Sequence, residues 1–203
     1  NKGEGNKEIG EIKNDIINYL PYTPISLHRI DMDFVGGNIE AKTLSSEQVE
    51  GYFNYYLGHC PKGITNVRSY NRIVYQDVYP NIDIVFYGGK ENGLKYDIVV
   101  RPGGNPDDIK IKYTGADGIS IEKGVLSIES SLGEMIEKMP KVYQNIKGKI
   151  VDIGSEYILE GSTVSFHLTT HYSPLNTLII DPWITYYGGA DYDYSTGISV
   201  DVA

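Results

Sequence analysis

The sequence predicts an all-β domain, mostly antiparallel, built as a β-sandwich or a strongly twisted roll. After residue 25, short runs of alternating apolar and polar residues recur about every eight to twelve residues. Gly and Asn separate these runs, and no helical period lasts for three turns. The half-polar alternation argues against a parallel α/β sheet, because strands that are buried on both faces are apolar throughout.

Composition and charge exclude several classes of protein. Hydrophobic residues make up 40% and charged residues 22% of the 203 residues, which is ordinary for a soluble globular chain. The net charge of −9 does not suit the neutralisation of phosphates, so nucleic acid is not an expected partner. No apolar run is long enough for a membrane helix, and the single Cys60 excludes an internal disulfide.

Residues 1–24 differ from the rest and are predicted to form a weakly held N-terminal arm. The arm begins with a polar, Gly-rich stretch, which favours mobility. Five apolar residues then recur at helical spacing before Pro21: Ile9, Ile12, Ile16, Ile17 and Leu20. Two interpretations stay open, a short amphipathic helix that rests on the main domain and a strand-like remnant of a segment cut upstream.

The main β domain is predicted to span residues 25–182. Its first predicted strand changes the parity of its apolar residues between Leu27 and Ile30, which predicts a β-bulge near His28. The runs 82–87 and 94–100 flank a loop that ends in Asn-Gly, so they are predicted to form a hairpin at the centre of the domain. Further predicted strands are Ile73–Tyr75, Ile109–Tyr113, Ile119–Glu122, Val125–Ile128, Met135–Met139, Val142–Ile146, Lys149–Ile153, Tyr157–Leu159 and Val164–Leu168, with a tight turn at Lys123-Gly124.

Asp181-Pro182 is predicted to end this pattern, because proline has no N–H to donate within a central strand. Residues 183–203 are then predicted to start a new, incomplete unit. One strand and part of another cannot bury a face alone. We therefore expect this segment either to add to the main sheet or to belong to a further domain.

Three stretches of the chain together resemble a known family. They are Tyr52–Gly58, Val78–Gly88, and Ile179–Pro182 with the segment that follows to Asp201. The chain resembles the N-terminal domain of unknown function that precedes SBBP-type β-propeller repeats in large secreted bacterial proteins. The middle stretch, with its Tyr-Pro-x-Ile-Asp string, is the most specific; Asn81 stands where the family usually has Gly, and both residues tolerate a left-handed turn.

The resemblance implies an extracellular or cell-surface location and a multidomain parent protein. It also implies that residues 183–203 are the first strand or strands of a propeller-type repeat. It implies no known activity, so it transfers no catalytic residues to this chain.

Tyrosine is the most suggestive residue type for binding, with 18 tyrosines against 4 phenylalanines. The weak candidates for ligand binding form two groups, Tyr52, Tyr55 and Tyr56 in the first and Tyr186 and Tyr187 in the second. Exposed rings can stack on sugars or anchor a protein contact. The alternative is that the tyrosines fill half-buried strand positions.

No arrangement of residues indicates a catalytic or metal site. His167 and His171 are four positions apart, which on a strand is about 13 Å and too far to share a zinc ion directly, although a turn at Thr169-Thr170 would bring them together. Asp83 and Asp97 lie on the two arms of the predicted hairpin, but the pattern does not fix whether they face each other as a glycosidase pair. Cys60 has no evident base or orienting group. The aspartates near the end of the chain match no calcium motif: Asp181, Asp191, Asp193 and Asp201.

The sequence thus favours a non-catalytic module of a secreted or cell-surface bacterial protein that acts in adhesion, assembly or presentation. Its expected partners are other domains of the same protein and a glycan or surface protein. We expect no cofactor, no nucleic-acid partner and no membrane insertion. The alternative is a carbohydrate-binding module that uses the exposed tyrosines. A hydrolase is disfavoured.

Overall fold

A computed structural model describes the backbone of residues 26–88 and 94–188, and this part of the chain is all-β with one 3-10 helix at Pro106–Asp108. The strands are β1 Asp31–Phe34, β2 Lys42–Gln48, β3 Phe53–Leu57, β4 Cys60–Val67, β5 Tyr70–Tyr79, β6 Ile82–Gly88, β7 Leu94–Val100, β8 Lys110–Thr114, β9 Gly118–Glu122, β10 Val125–Ser130, β11 Gly133–Ile146, β12 Lys149–Ile153, β13 Ser155–Glu160, β14 Thr163–Leu168 and β15 Leu178–Gly188. Every strand pairing in the described part is antiparallel, which confirms the predicted all-β, antiparallel class.

Two sheets enclose the hydrophobic core. The smaller sheet has the strand order β1-β8-β14-β13, and the larger has the order β2-β5-β6-β7-β15-β11-β10-β9, with β12 paired to β11. Strands β3 and β4 form a third, two-stranded sheet. Buried side chains of the two main sheets join in one cluster, as in a β-sandwich; it includes Ile82, Ile84, Ile98 and Ile180 from the larger sheet and Ile111, Val164 and Phe166 from the smaller one.

The hairpin of β6 and β7 lies inside the larger sheet, as predicted. Ile84 pairs with Ile98, and neither side chain is exposed. The loop between the strands, residues 89–93, lies outside the described residues. The predicted tight turn also occurs, since Lys123 and Gly124 have φ values of 52° and 80° and connect β9 to β10.

Strand β11 replaces two predicted strands with a single strand of 14 residues. Its pairing with β15 shifts by one position between Lys138 and Lys141, which is the signature of a β-bulge. A shift of one position exchanges the two faces of a strand. Glu137 before the bulge and Val142 after it are therefore both buried, although their numbers differ in parity.

The predicted end of the strand at Asp181-Pro182 is wrong, because β15 runs without a break from Leu178 to Gly188. Pro182 falls opposite the bulge of β11, between the paired residues Asp181 and Trp183. The ladder is interrupted there, so the missing N–H of proline is tolerated. The start of the predicted tail thus continues the larger sheet, while residues 189–203 lie outside the described residues.

The predicted strand across residues 25–34 is also wrong in its first half, since β1 starts only at Asp31. The preceding segment is held by side-chain hydrogen bonds instead of a ladder. The His28 ring donates from Nε2 to the Gly115 carbonyl oxygen at 2.7 Å and accepts at Nδ1 from the Ser131 hydroxyl at 2.8 Å. Gly115 has a φ of 92°, and a Cβ atom there would collide with the Arg29 carbonyl oxygen, so glycine is needed.

Residues 1–25, including the predicted N-terminal arm, lie outside the described part of the chain. Within the described ranges, no helix is long and apolar enough to cross a membrane.

The position of Val85 gives a test of the central hairpin. Val85 is only 2% exposed and pairs directly with Asp97. Val85→Asp would place a second carboxylate beside the first, and we expect a loss of about 3 kcal/mol or more in the free energy of unfolding. Urea unfolding of Val85→Asp and of its neutral isostere Val85→Asn measures this. Equal stability of the two variants at neutral pH would contradict the pairing.

Candidate functional site

An exposed hairpin carries the first group of predicted tyrosines. It comprises Tyr52, strands β3 and β4 and the adjoining Arg68, residues 52–68, and is called the aromatic hairpin below. Its aromatic side chains are widely open to solvent, with exposed fractions of 58% for Tyr52, 56% for Phe53, 46% for Tyr55 and 73% for Tyr56. These rings are not part of the sandwich core, so the fold does not account for them.

Local contacts order the aromatic hairpin even though two strands alone are marginally stable. The Tyr56 ring lies over Gly63, where a Cβ atom would stand 2.8 Å from the ring carbons and where φ is 69°. Asn54 accepts a hydrogen bond at its side-chain oxygen from the backbone N–H of Asn66 at 2.8 Å. Gly63 therefore allows the ring to approach the opposite strand closely.

The positively charged Arg68 side chain packs against one of the rings at the base of the aromatic hairpin. The guanidinium carbon of Arg68 lies 5.4 Å from the centre of the Tyr52 ring, and its Nη1 donates to the Gly51 carbonyl oxygen at 3.0 Å. Phe53 and Tyr55 also lie together, with ring centres 6.3 Å apart. The aromatic hairpin thus offers apolar ring surface, phenolic hydroxyls and one guanidinium to a partner.

The second group of predicted tyrosines belongs to a different sheet. The backbone of Tyr186 pairs with Met135, and that of Tyr187 pairs with Glu134, both in the larger sheet. The two predicted groups are therefore carried by separate sheets.

The aspartates that the sequence nominated as an acid pair have separate partners. Asp83 accepts a hydrogen bond from the backbone N–H of Asp77 at 2.9 Å and from Arg101 Nη2 at 3.2 Å. Asp97 instead accepts from the Tyr87 hydroxyl at 2.9 Å. Each carboxylate therefore serves its own hydrogen-bond network on the hairpin of β6 and β7.

Among the nominated residues that the structure describes, the histidines and the cysteine do not converge on a metal site, whereas Asp191, Asp193 and Asp201 lie outside the described residues. His167 lies exposed on β14, and His171 lies exposed in the segment after it. Cys60 is a free, half-buried thiol at the start of β4. Among the residues whose positions are described, no group of three or more His, Cys, Asp or Glu side chains could hold a metal ion.

A buried acid that sequence analysis missed lies between the two main sheets. Glu137 of β11 is 1% exposed, and its Oε1 accepts hydrogen bonds from the hydroxyls of Tyr157 at 2.7 Å and Tyr96 at 3.2 Å. Its Oε2 accepts from the Tyr113 hydroxyl at 3.3 Å. Tyr113 and Tyr157 come from the smaller sheet, whereas Tyr96 and Glu137 come from the larger one. These four residues are called the Glu137 cluster.

Burial dominates the protonation behaviour of the Glu137 cluster. It raises the pKa of the Glu137 carboxyl, and the three hydroxyl hydrogen bonds oppose this rise. Burial, together with the nearby carboxyl, also raises the pKa values of Tyr96, Tyr113 and Tyr157 well above their usual range. The three hydroxyls therefore keep their protons at neutral pH and remain donors to the carboxyl group.

The family described as "Domain of unknown function (DUF7948)" matches residues 2–183. The chain belongs to this family. The comparisons with curated proteins and with solved structures found no significant match. The predicted resemblance to a domain of unknown function is therefore confirmed for most of the chain.

The most specific string of this DUF7948 domain has a structural role. The Tyr79 hydroxyl lies 3.1 Å from the carbonyl oxygens of both Val35 and Lys110, and so links β5 to the smaller sheet. Asn81 has a φ of 60° in the turn between β5 and β6, as its tolerance of left-handed backbone predicts. Asp83 pairs with Arg101 just beyond that turn. The string therefore forms the turn from β5 into β6 and fixes it against neighbouring segments, and the aromatic hairpin remains the exposed candidate for binding.

The raised pKa of Glu137 predicts a pH dependence of stability. A carboxyl whose pKa is higher in the folded than in the unfolded protein stabilises the fold below its usual pKa of 4.5, and this contribution is lost as the pH rises through the folded pKa. We expect the free energy of unfolding of Glu137→Gln, measured by urea unfolding, to change less with pH in this range than that of the wild type. Burial also raises the pKa values of Asp97 and Asp181. The free energy of unfolding of Glu137→Gln should therefore still fall with rising pH, but less steeply than that of the wild type.

Asp97→Asn is the matched control, because it leaves the Glu137 contribution in place. A Glu137→Gln variant with the full wild-type slope would contradict the prediction.

Proposed function

We propose that this DUF7948 domain is a non-catalytic module of a secreted or cell-surface bacterial protein, and that it acts in adhesion, assembly or presentation through the aromatic hairpin. The observation that carries the proposal is the exposure of four aromatic rings on one ordered hairpin outside the two main sheets. Aromatic and arginine side chains are enriched at the energetic centres of protein interfaces. The aromatic hairpin holds both kinds, with Arg68 beside Tyr52.

The order of the rings supports binding as well. Binding of a partner would cost the aromatic hairpin little conformational entropy, because its side chains are already held in place. Tyr56 lies on Gly63, and Arg68 is hydrogen-bonded to the Gly51 carbonyl oxygen. Leu57 and Ile64 add apolar surface, with exposed fractions of 44% and 48%. This mixture of rings, aliphatic groups and one cation favours a protein surface as the partner.

The proposal extends to the setting of the domain. We infer that SBBP-type β-propeller repeats follow it in an extracellular or cell-surface protein, so that the other domains of the same protein are its first partners. The support is the resemblance of Tyr187-Gly188-Gly189 and of residues 197–201 to the opening of such a repeat.

Site-specific photo-crosslinking tests the contact. A photoreactive phenylalanine at Tyr56 is expected to capture a surface protein or another domain of the parent protein on the producing bacterium. The same probe at Leu175, which is 82% exposed but lies outside the aromatic hairpin, is the matched control. Equal capture from both positions, or none from Tyr56, would overturn the proposal.

Carbohydrate binding is the second candidate, because three of the four exposed rings are tyrosines that combine a stacking face with a hydroxyl. A glycan array with the full chain tests it. Saturable glycan binding that is lost when Tyr52, Tyr55 and Tyr56 are all changed to Ser, and kept in Leu175→Ser, would favour this candidate over a protein partner.

The same triple variant checks that a loss of binding reflects the contact and not the fold. Because these rings are exposed, we expect the triple variant to change the free energy of unfolding by only about 1 kcal/mol. Circular dichroism during thermal unfolding measures this. A large loss of stability would mean that the rings hold the domain together, which would contradict their assignment to binding.

A further inference from the structure

A cavity of about 210 Å³ lies inside the sandwich, next to the Glu137 carboxyl group. Both sheets contribute to its walls. The lining residues are Ile30, Met32, Phe86, Tyr96, Tyr113, Ile128, Met135 and Glu137. The walls are therefore apolar or aromatic, and Glu137 supplies the one acidic group among them.

We propose that this cavity binds a small primary amine with an apolar body, whose ammonium group donates to Glu137. The volume suits such a ligand, since an engineered apolar cavity of about 150 Å³ already accepts benzene. The apolar body would lie between Met32 and Met135, which line the cavity from opposite sheets.

The hydrogen bonds of the carboxyl group leave room for one more donor. A carboxylate has about four acceptor positions. Oε1 accepts from both Tyr96 and Tyr157, whereas Oε2 accepts only from Tyr113. An ammonium group at Oε2 would complete the set.

Charge selects an amine over a neutral ligand. No ion pair joins Glu137 to a Lys, Arg or His side chain within residues 26–88 and 94–182. Burying an ionised carboxylate without a counter-charge is costly, and its three neutral donors only reduce that cost. A ligand cation supplies the missing charge, while an anionic ligand would be repelled.

Methionine methyl groups allow the proposal to be tested in the unmodified chain. The protein has three methionines. Met32 and Met135 line the cavity, whereas Met139 is 53% exposed and is not among the lining residues. Benzylamine and its neutral counterpart benzyl alcohol are the probes, in titrations followed by the NMR signals of ¹³C-labelled methionine methyls.

We expect benzylamine to shift the Met32 and Met135 signals in a saturable way and to leave the Met139 signal in place. Benzyl alcohol is expected to bind about tenfold more weakly or worse, because a neutral hydroxyl replaces the charged ammonium as the donor to the carboxylate. In Glu137→Gln this preference for the amine should disappear.

Three outcomes would overturn the proposal. The first is that the Met32 and Met135 signals do not move at millimolar benzylamine. The second is that all three methionine signals move together, which would indicate non-specific binding. The third is equal affinity for the amine and the alcohol in the wild-type chain, a result that needs no variant to fold.

Discussion

The carboxyl group of Glu137 lies between two β-sheets and accepts hydrogen bonds from three tyrosine hydroxyls, two of which come from the opposite sheet. Apolar contacts between sheets are non-directional, so they tolerate small slides of one sheet over the other. Hydrogen bonds to a buried carboxyl are directional, and leaving them unmade is expensive. The Glu137 cluster therefore restricts the two sheets to one relative position, on which the core and the adjacent cavity depend.

The bulge in β11 makes this arrangement possible and extends it. Because the bulge exchanges the faces of the strand, Glu137 before it and Gln144 after it are both buried. The Gln144 side chain donates to the carbonyl oxygens of Ser173 and Asn176 and accepts from the Ser173 N–H, and so fixes the loop before β15. One strand thus carries two buried polar side chains that hydrogen-bond to other segments of the fold. The aromatic hairpin lies outside the two main sheets, and its rings are exposed to solvent.

The sequence predicted those parts of the fold in which burial follows a local period. Alternation revealed β6 and β7, and turn chemistry revealed Lys123-Gly124, because each signal lies within a few residues. Strands β2 to β4 were missed, since nearly every residue in them is exposed and no face imposes an alternation. The strand end predicted at Pro182 is wrong because the sheet tolerates a proline there only through the bulge in β11, which the local sequence does not reveal. The exposed tyrosines were nominated from sequence; the Glu137 cluster was not, because its members are distant in the chain and meet only after the sheets pack.

A double-mutant cycle between Glu137 and Tyr157 tests most directly whether the cluster couples the sheets. Glu137→Leu removes the acceptor, and Tyr157→Phe removes the donor that lies 2.7 Å from it. We expect the double variant to be more stable than the sum of the single losses by about 1–3 kcal/mol, because the hydrogen bond between the two groups is lost only once, although the Tyr157 hydroxyl also lies 3.1 Å from the Lys138 carbonyl oxygen. Tyr79→Phe, whose hydroxyl bonds elsewhere, should be additive with Glu137→Leu. Additivity of Glu137→Leu with Tyr157→Phe, within about 0.5 kcal/mol, would contradict the account.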